Sequence, residues 1–363
     1  MVAPVFLGVL TTPCFGRPPL YETHLALDLA RYARRKGGKR VEVIIFTPAD
    51  IHVHEGTIRG WMLTEKGIHQ DIRPIPDVLY DRYMPCKAYP ASYAVQFIRR
   101  AVRYRLNRGL PDKWQQFLTL KKAGFDPFLP EQRLYVNDDD ILSWAEPELI
   151  VKPRHGAFGR GVLYVRKKYP YRIHGRDGKG RIISLNPTNE RTLLTYLDPY
   201  RGKSLIQQYL DLSAADGTPY DLRLFLQKTL DRRSPSMFNI LGGAVRKGPP
   251  DGLTANLSGG GKALPLTNLP PYLNRFDAQH ILRTVQDLAS TIAFHLSHTF
   301  PPQLEMGLDL AVDQHGSIYF LEANARPGRG ILRATDLNAY WQSISGVLMH
   351  AQTIDAEEKE VRR

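Results

Sequence analysis

The side chains best suited to chemistry stand near the end of the chain, in Met306-Gly307-Leu308-Asp309-Leu310-Ala311-Val312 and Ser317-Ile318-Tyr319-Phe320-Leu321-Glu322-Ala323-Asn324. Both stretches read as strands, joined at Asp313-Gln314-His315-Gly316, a connection rich in turn formers. Strand side chains alternate between faces, so Glu322 and Asn324 point the same way, and an even connection brings Asp309 onto that face beside Glu322. Three oxygen-bearing side chains then converge among apolar neighbours. Left unpaired they are costly to bury, and a hard cation such as Mg²⁺ satisfies them. A solvated hairpin face with unrelated polar residues is the competing reading.

A second stretch, Lys152-Pro153-Arg154-His155-Gly156-Ala157-Phe158-Gly159-Arg160-Gly161-Val162, sets three glycines between two apolar runs. Such a loop comes close to a phosphate chain and donates backbone N–H groups, while Lys152 adds a point charge at the strand end. An ordinary flexible turn is the alternative. Two standard nucleotide motifs fail. Gly202-Lys203-Ser204 resembles the close of a P-loop, but residue 197 is Leu where the first glycine is required. The order of glycines at 156–161 is not the dinucleotide fingerprint, and it sits in a hairpin rather than before a helix. Between loop and carboxylates, Ser204-Leu205-Ile206-Gln207-Gln208-Tyr209-Leu210 reads either as a strand offering its backbone to an adenine edge or as plain core. Asp221-Leu222-Arg223 and Arg246 add cations, and Asn256 precedes Gly259-Gly260-Gly261 in what reads as a mobile loop. No HExxH or GxSxG points to a hydrolase.

The elements that must position these residues follow from periodicity. Apolar runs at 5–10, 41–46 and 78–80, with a helical pattern over 23–36 that stops at Gly37-Gly38, predict a parallel-sheet domain over about the first 105 residues. A helix over 94–107 closes it. Asp112 is the expected N-cap of the next helix. Strands are expected at 149–153, 162–165, 204–210 and 222–227, a long helix at 277–297, and a last helix at 337–351 followed by a frayed, charged tail.

Composition bounds the rest. The chain has 363 residues, 43% of them hydrophobic, enough for two or three domains. Its 49 Lys and Arg against 36 Asp and Glu give a net charge of +13, which favours anionic ligands. The basic residues are scattered, without aromatic-interleaved RNA motifs or zinc-finger spacing, so nucleic acid is not the expected partner. Two cysteines, Cys14 and Cys86, without CxxC or nearby histidines, argue against a disulfide framework or a zinc site and suit a reducing cytoplasm. No secretory signal and no membrane span is read from the sequence.

Taken in order, the lysine and glycine-rich hairpin, the Gln-Gln-Tyr-Leu strand, Asp-Leu-Arg, and Asp309 with Glu322-x-Asn324 resemble the ATP-grasp superfamily over roughly residues 110–335. The whole chain is similar to the endospore coat-associated YheC/YheD-type ATP-grasp family. The matching stretches are Asp112-Lys113-Trp114, Val151-Lys152-Pro153, Ile206-Gln207-Gln208, Asp221-Leu222-Arg223-Leu224, residues 256–262 and Leu321-Glu322-Ala323-Asn324-Ala325-Arg326-Pro327-Gly328. The resemblance implies an α/β (α+β) ATP-grasp fold. It would comprise an amino-terminal Rossmann-like domain (1–108), a central lid with the glycine-rich flap (109–207), a carboxy-terminal subdomain with the metal site (208–350) and a charged tail (351–363). It implies ATP with Mg²⁺, or Mn²⁺, as cofactors. Lys113 and Lys152 would contact the phosphates or the adenine, and Gly156, Phe158, Gly159 and Gly161 would form the flap. Gln207, Gln208, Tyr209 and Leu210 would be the adenine hinge, although many members carry Glu where this chain has Gln208. Asp309, Glu322 and Asn324 would hold one or two metal ions. Arg223, Arg246 and Asn256 would form the catalytic set, the arginines stabilising the transferred phosphoryl group or binding the acceptor. The activity implied is an ATP-dependent carboxylate–amine (or thiol) ligase acting through an acylphosphate. Its acceptor would be a small-molecule or peptide carboxylate, anionic in keeping with the net charge, and the protein would associate with the spore coat. A kinase and a non-catalytic coat scaffold stay open as alternatives.

Overall fold

A computed structural model describes residues 4–12, 23–36, 41–64, 67–84, 92–156, 159–214, 216–230, 237–250, 252–269, 273 and 277–361. Cys14, Cys86 and the Gly37-Gly38 stop lie outside them.

Three sheets organise the chain. The first contains β1 (Val5–Leu10), β2 (Val41–Phe46), β3 (Ile51–His52), β4 (Thr57–Thr64), β5 (Gly67–Pro74), β6 (Val78–Asp81) and β7 (Tyr104–Arg105). Its order is β3-β4-β2-β1-β6-β7, with β5 paired to β4. The expected parallel core is present as β2-β1-β6-β7, and antiparallel β3, β4 and β5 extend it. Helix α1 (Thr23–Lys36) lies over this sheet. Helix α2 (Tyr93–Ala101), capped by the Ser92 hydroxyl, stops short of the expected 94–107. The chain turns extended at Val102, and β7 pairs with β6, which buries Leu106 and brings Arg105 to Asp81.

The second sheet is antiparallel, in the order β12-β11-β10-β9-β13-β8. Its strands are β8 (Gln132–Leu134), β9 (Glu148–Pro153), β10 (Leu163–Arg166), β11 (Arg172–Arg176), β12 (Ile182–Leu185) and β13 (Ser204–Gln208). One face packs Leu149, Val151, Leu163, Val165 and Ile206 against α4 (Asp138–Leu142) and α5 (Glu190–Leu197).

The third sheet runs β16-β15-β14-β17-β18. Its strands are β14 (Tyr220–Lys228), β15 (Phe238–Lys247), β16 (Lys262–Leu264), β17 (Glu305–Val312) and β18 (Ile318–Asn324). Leu222, Leu224, Met306, Leu308 and Leu310 face α3 (Lys113–Lys122) and the long α6 (Ala278–Thr299). After the short α7 (Gly330–Thr335), α8 (Leu337–Val361) lays Tyr340, Ile344, Val347, Leu348 and Ala351 against α1 and the first sheet. That spacing is one helical stripe. The tail expected beyond residue 351 continues this helix, since residues 352–361 contain no Gly or Pro to stop it. Among the described residues no helix is long and apolar enough to cross a membrane.

Candidate functional site

The second and third sheets face each other across a cavity of about 390 Å³. Strand alternation decides what each wall presents. In the second sheet the even positions of β9 and the residues in register with them on the neighbouring strands turn away from the helices, so Ile150, Lys152, Tyr164, His174 and Gln207 line the cavity, joined by Tyr209 just past the end of β13. In the third sheet Met306, Leu308 and Leu310 go to α6, which leaves Glu305, Gly307 and Asp309 on the opposite side.

Asp309 and Glu322 are direct partners across β17 and β18. The register slips one residue after Asp309, so Leu321 is bulged out and Phe320 pairs with Leu310. Arg223, from β14, is Asp309's partner on the other side and binds both its carboxylate oxygens, with Nη2 to Oδ2 at 2.7 Å. Arg246 reaches Asp309 Oδ2 at 3.1 Å and grips Asp221 with two bonds, Nε to Oδ1 at 2.5 Å and Nη2 to Oδ2 at 2.6 Å. Burial works against the charge on Arg246, but Asp221 and Asp309 outweigh it and raise its pKa above the ordinary value. Gly307 is required where Arg223 crosses. A Cβ there would stand 2.8 Å from Pro327 and 3.1 Å from the Arg223 guanidinium.

Glu322 is met from the other side by Lys113, whose Nζ lies 3.1 Å from Oε2, while Asn324 Nδ2 donates to Oε1 at 3.1 Å. Burial penalises the Glu322 charge, but Lys113, the Asn324 bond and Arg223 hold its carboxyl well below the usual carboxylate range. Lys113 stands in the first turn of α3, which the Asp112 carboxylate caps as expected by accepting from Gln115 N at 3.0 Å. Lys113 also donates to Gly156 O at 3.1 Å, tying the helix to the glycine-rich loop. Lys152 Nζ donates to Gln207 Oε1. Burial pushes its ammonium down to about 7, with Lys113 adding repulsion and Glu322 opposing both.

The glycine-rich loop leans on the segment around residue 255. Gly159 has φ +67°, and a Cβ there would come within 2.7 Å of both Asn256 Oδ1 and Thr254 Oγ1. Arg176 Nη2 donates to Gly259 O at 2.7 Å, so the two sheets are joined again beyond the cavity.

Of the residues expected at the site, Lys113, Lys152, Gly156, Gly159, Gln207, Tyr209, Leu210, Arg246, Asn256, Asp309 and Glu322 line this one cavity. Gly161 stands behind the loop against Pro153, and Arg223 behind Asp309. Gln208 turns away, with its side-chain oxygen accepting from Glu131 N at 3.3 Å. Asn324 acts on Glu322 from its flank. Phe158 lies outside the described residues. Tyr164, Arg172, His174 and Thr254 line the cavity without having been singled out. The first three sit on the same face as Lys152, Tyr164 one strand away and Arg172 and His174 two, by simple alternation. Tyr164 meets Tyr209 edge-on with ring centroids 5.1 Å apart, an aromatic wall beside Ile150.

As a cation site, Asp309, Glu322 and the Asn324 amide oxygen form a set of hard oxygen donors, which suits Mg²⁺ and not a softer metal. Among the described residues no group of three or more His, Cys, Asp or Glu is placed to hold a metal ion, so two carboxylates and an amide are what this set offers.

Three sheets with a basic and acidic cavity between the second and third define an ATP-grasp fold. D-alanyl-alanine synthetase A from Vibrio cholerae superposes over 96% of this chain and 100% of its own at a TM-score of 0.52, with 11% identity. The ATP-grasp ligase PsnB, solved with a minimal precursor, Mg and ADP, does so over 96% and 98% at 0.52, with 13% identity. Within that class the chain belongs to the YheC/D-like ATP-grasp family, whose profile matches residues 104–354. Endospore coat-associated protein YheC of Bacillus subtilis (strain 168) is 30% identical over 336 residues, 87% of this chain and 88% of that protein.

Proposed function

We propose that the cavity binds ATP with Mg²⁺ and that the protein is a ligase joining a carboxylate to an amine or a thiol. The observation that carries this reading is the meeting of Lys113 and Lys152 with Asp309 and Glu322 across one cavity between two sheets. Phosphoryl transfer asks a protein for position and for charge stabilisation, and asks little covalent help. Lys113 and Lys152 supply cations to the phosphates, and the backbone of Gly156 and Gly159 covers them. Tyr164, Tyr209 and Leu210 supply an apolar wall for the base. Asp309, Glu322 and Asn324 would hold Mg²⁺, which would neutralise charge on the β- and γ-phosphates. Arg246, with Arg223 behind it, faces the charge that spreads over the transferred group.

An oxygen of the acceptor carboxylate attacks the γ-phosphorus, the bond to the β-phosphate oxygen breaks, and ADP leaves. The amine or thiol then attacks the acyl carbon, inorganic phosphate departs, and the nucleophile's proton passes to solvent. The names of the structural relatives, a synthetase of D-alanyl-alanine and a ligase solved with a precursor, support a ligase with a small-molecule or peptide acceptor. The description of YheC supports association with the spore coat.

Calorimetry with ADP, with and without Mg²⁺, tests the site on the native chain and on Glu322→Ala. Mg²⁺-dependent binding that is lost in a folded variant is the expected result, and absent binding to the folded native chain would overturn the reading. Product analysis then separates the chemistry, because a ligase releases free phosphate with ADP whereas a kinase leaves it on the acceptor.

A further inference from the structure

Outside the cavity, the densest set of charges in the described chain surrounds Asp81. This residue closes β6 and is paired with Leu10 at the end of β1, so it stands at the carboxyl ends of two adjacent parallel strands. In open α/β sheets, ligands bind just outside those ends. Asp81 is fully buried. Arg99 takes both of its oxygens, Nε to Oδ2 at 2.8 Å and Nη2 to Oδ1 at 3.3 Å. Arg105 adds Nη2 to Oδ2 at 3.1 Å, and Arg326 adds Nη2 to Oδ2 at 3.2 Å while its Nε donates to the Asp81 carbonyl at 2.9 Å. One bidentate arginine already balances the single charge of a carboxylate, while taking about two of its four lone-pair sites. A structural clasp gains little from two more guanidiniums, which repel the first and each other. Burial first, and then repulsion from Arg99 and Arg326 on Arg105 and from Arg99 and Arg82 on Arg326, lower the pKa of both side chains against the pull of Asp81. Each of the three side chains keeps about a fifth of its surface exposed, at 23%, 19% and 18%.

The cluster is also held in place. Arg82, buried on Glu305, donates to Pro327 O at 2.9 Å and so pins the segment carrying Arg326 to the first sheet. Arg326 follows Glu322 by four residues, so their Cα atoms are separated by at most about 14 Å. The strand that carries Glu322 thus continues directly into the segment that carries Arg326.

We infer that Arg99, Arg105 and Arg326 form a subsite for an anionic group of the acceptor, a carboxylate or a phosphate distinct from the carboxylate that reacts. This rests on the ligase reading for the word acceptor, and on the arginine geometry alone for the anion. Asp81 cancels one of the three charges, so the partly exposed guanidiniums keep a net positive charge, and their planar forks suit a carboxylate or a phosphate. The acceptor class that follows is a molecule carrying a second acidic group, in keeping with the basic character of the whole chain.

The test titrates the full chain with glutarate and, separately, with inorganic phosphate, at low ionic strength and without nucleotide. The proteins are the native chain, Arg99→Gln and Arg326→Gln, and each is checked for folding by its melting curve and by ADP affinity in a parallel titration. The expected result is binding of at least one anion, weakened about tenfold or more in both variants, with ADP affinity unchanged. Preference for glutarate assigns a carboxylate, and preference for phosphate a phosphoryl group. The subsite is overturned if neither anion binds the folded native chain, or if both variants bind as the native chain does. Loss of ADP binding by the native chain would sink the nucleotide reading and leave the anion titration standing on its own.

Discussion

At the scale of single residues, Lys152 shows how burial prepares a site. A lysine whose ammonium titrates at about 7 is half neutral at neutral pH, because burial disfavours its charge, Lys113 repels it and Glu322 offsets them only in part. A bound polyphosphate would bring the compensating charge and hold the proton. Above pH 7 binding must therefore recruit a proton, so ADP affinity falls by up to about tenfold per pH unit between pH 7 and 9. Below pH 7 the free lysine is already charged and this dependence ends. Lys152→Gln should bind weakly at pH 7 and lose the slope, which calorimetry across that range would detect. A native affinity flat from pH 7 to 9 would remove Lys152 from phosphate contact. Glu322 works in the opposite sense, since Lys113, Asn324 and Arg223 keep it ionised despite burial, ready for a cation across the accessible pH range.

At the scale of elements, the glycine-rich loop and the start of α3 determine whether these groups meet. Gly159→Ala places a Cβ within 2.7 Å of Asn256 and Thr254 at φ +67°, a backbone region that costs a non-glycine residue roughly 1–2 kcal/mol. The loop should lift from its seat, so ADP affinity drops about tenfold while the melting temperature hardly moves, because the cores lie elsewhere. Asp112→Ala removes both the cap of α3 and the partner of Arg154, whose Nη2 lies 2.7 Å from Oδ2. It should destabilise the fold by about 1–2 kcal/mol in urea unfolding and weaken nucleotide binding through Lys113. Much of this layer was legible in the chain. Both strands and the convergence of Asp309 with Glu322 were legible from 306–312 and 317–324, but not the route: the connection is the odd five-residue stretch 313–317 rather than an even one, and the bulge at Leu321 restores the pairing that plain alternation would have missed. Alternation applied to 149–152 and 162–165 would have found Tyr164. Helix ends were harder to read. Nothing local stops α2 at Ala101; β7 forms because the first sheet offers an edge, and α8 runs on because no breaker interrupts it. The order of neighbours β15-β14-β17 is also set by tertiary pairing, so Arg223 and Arg246 could be suspected from sequence, but their shared grip on Asp309 could not.

At the scale of the whole molecule, one strand serves both the site and the assembly. Glu305 and Asp309 share a face of β17, and Glu305 turns toward the first sheet where Asp309 turns to the cavity. Fully buried, Glu305 accepts from Arg82 Nη1 at 2.6 Å, Arg329 Nη2 at 2.6 Å and the Tyr80 hydroxyl at 2.6 Å, so strands separated by over 200 residues meet at one carboxylate. Burial, reinforced by the neighbouring Glu305 charge, raises the Tyr80 pKa and keeps that hydroxyl a donor. Glu305→Leu would leave two buried guanidiniums without this partner, and removing one member of such a group costs about 3–5 kcal/mol. The apolar cluster that joins β1, α1 and α8 also includes Phe225 and Ala244 of the third sheet, so the two ends of the chain share one core. The loss should consequently appear as one urea transition shifted to lower denaturant, with no separate early unfolding of the first sheet. Replacing the trio together, Arg82→Met, Glu305→Leu and Arg329→Met, should recover most of the stability, since a buried ion group exchanged for apolar side chains of similar size is often neutral. Recovered stability without recovered binding of glutarate or phosphate would show that the charges serve to hold the first sheet against β17, and with it the Asp81 arginines in place. Recovery of both would reduce the network to packing.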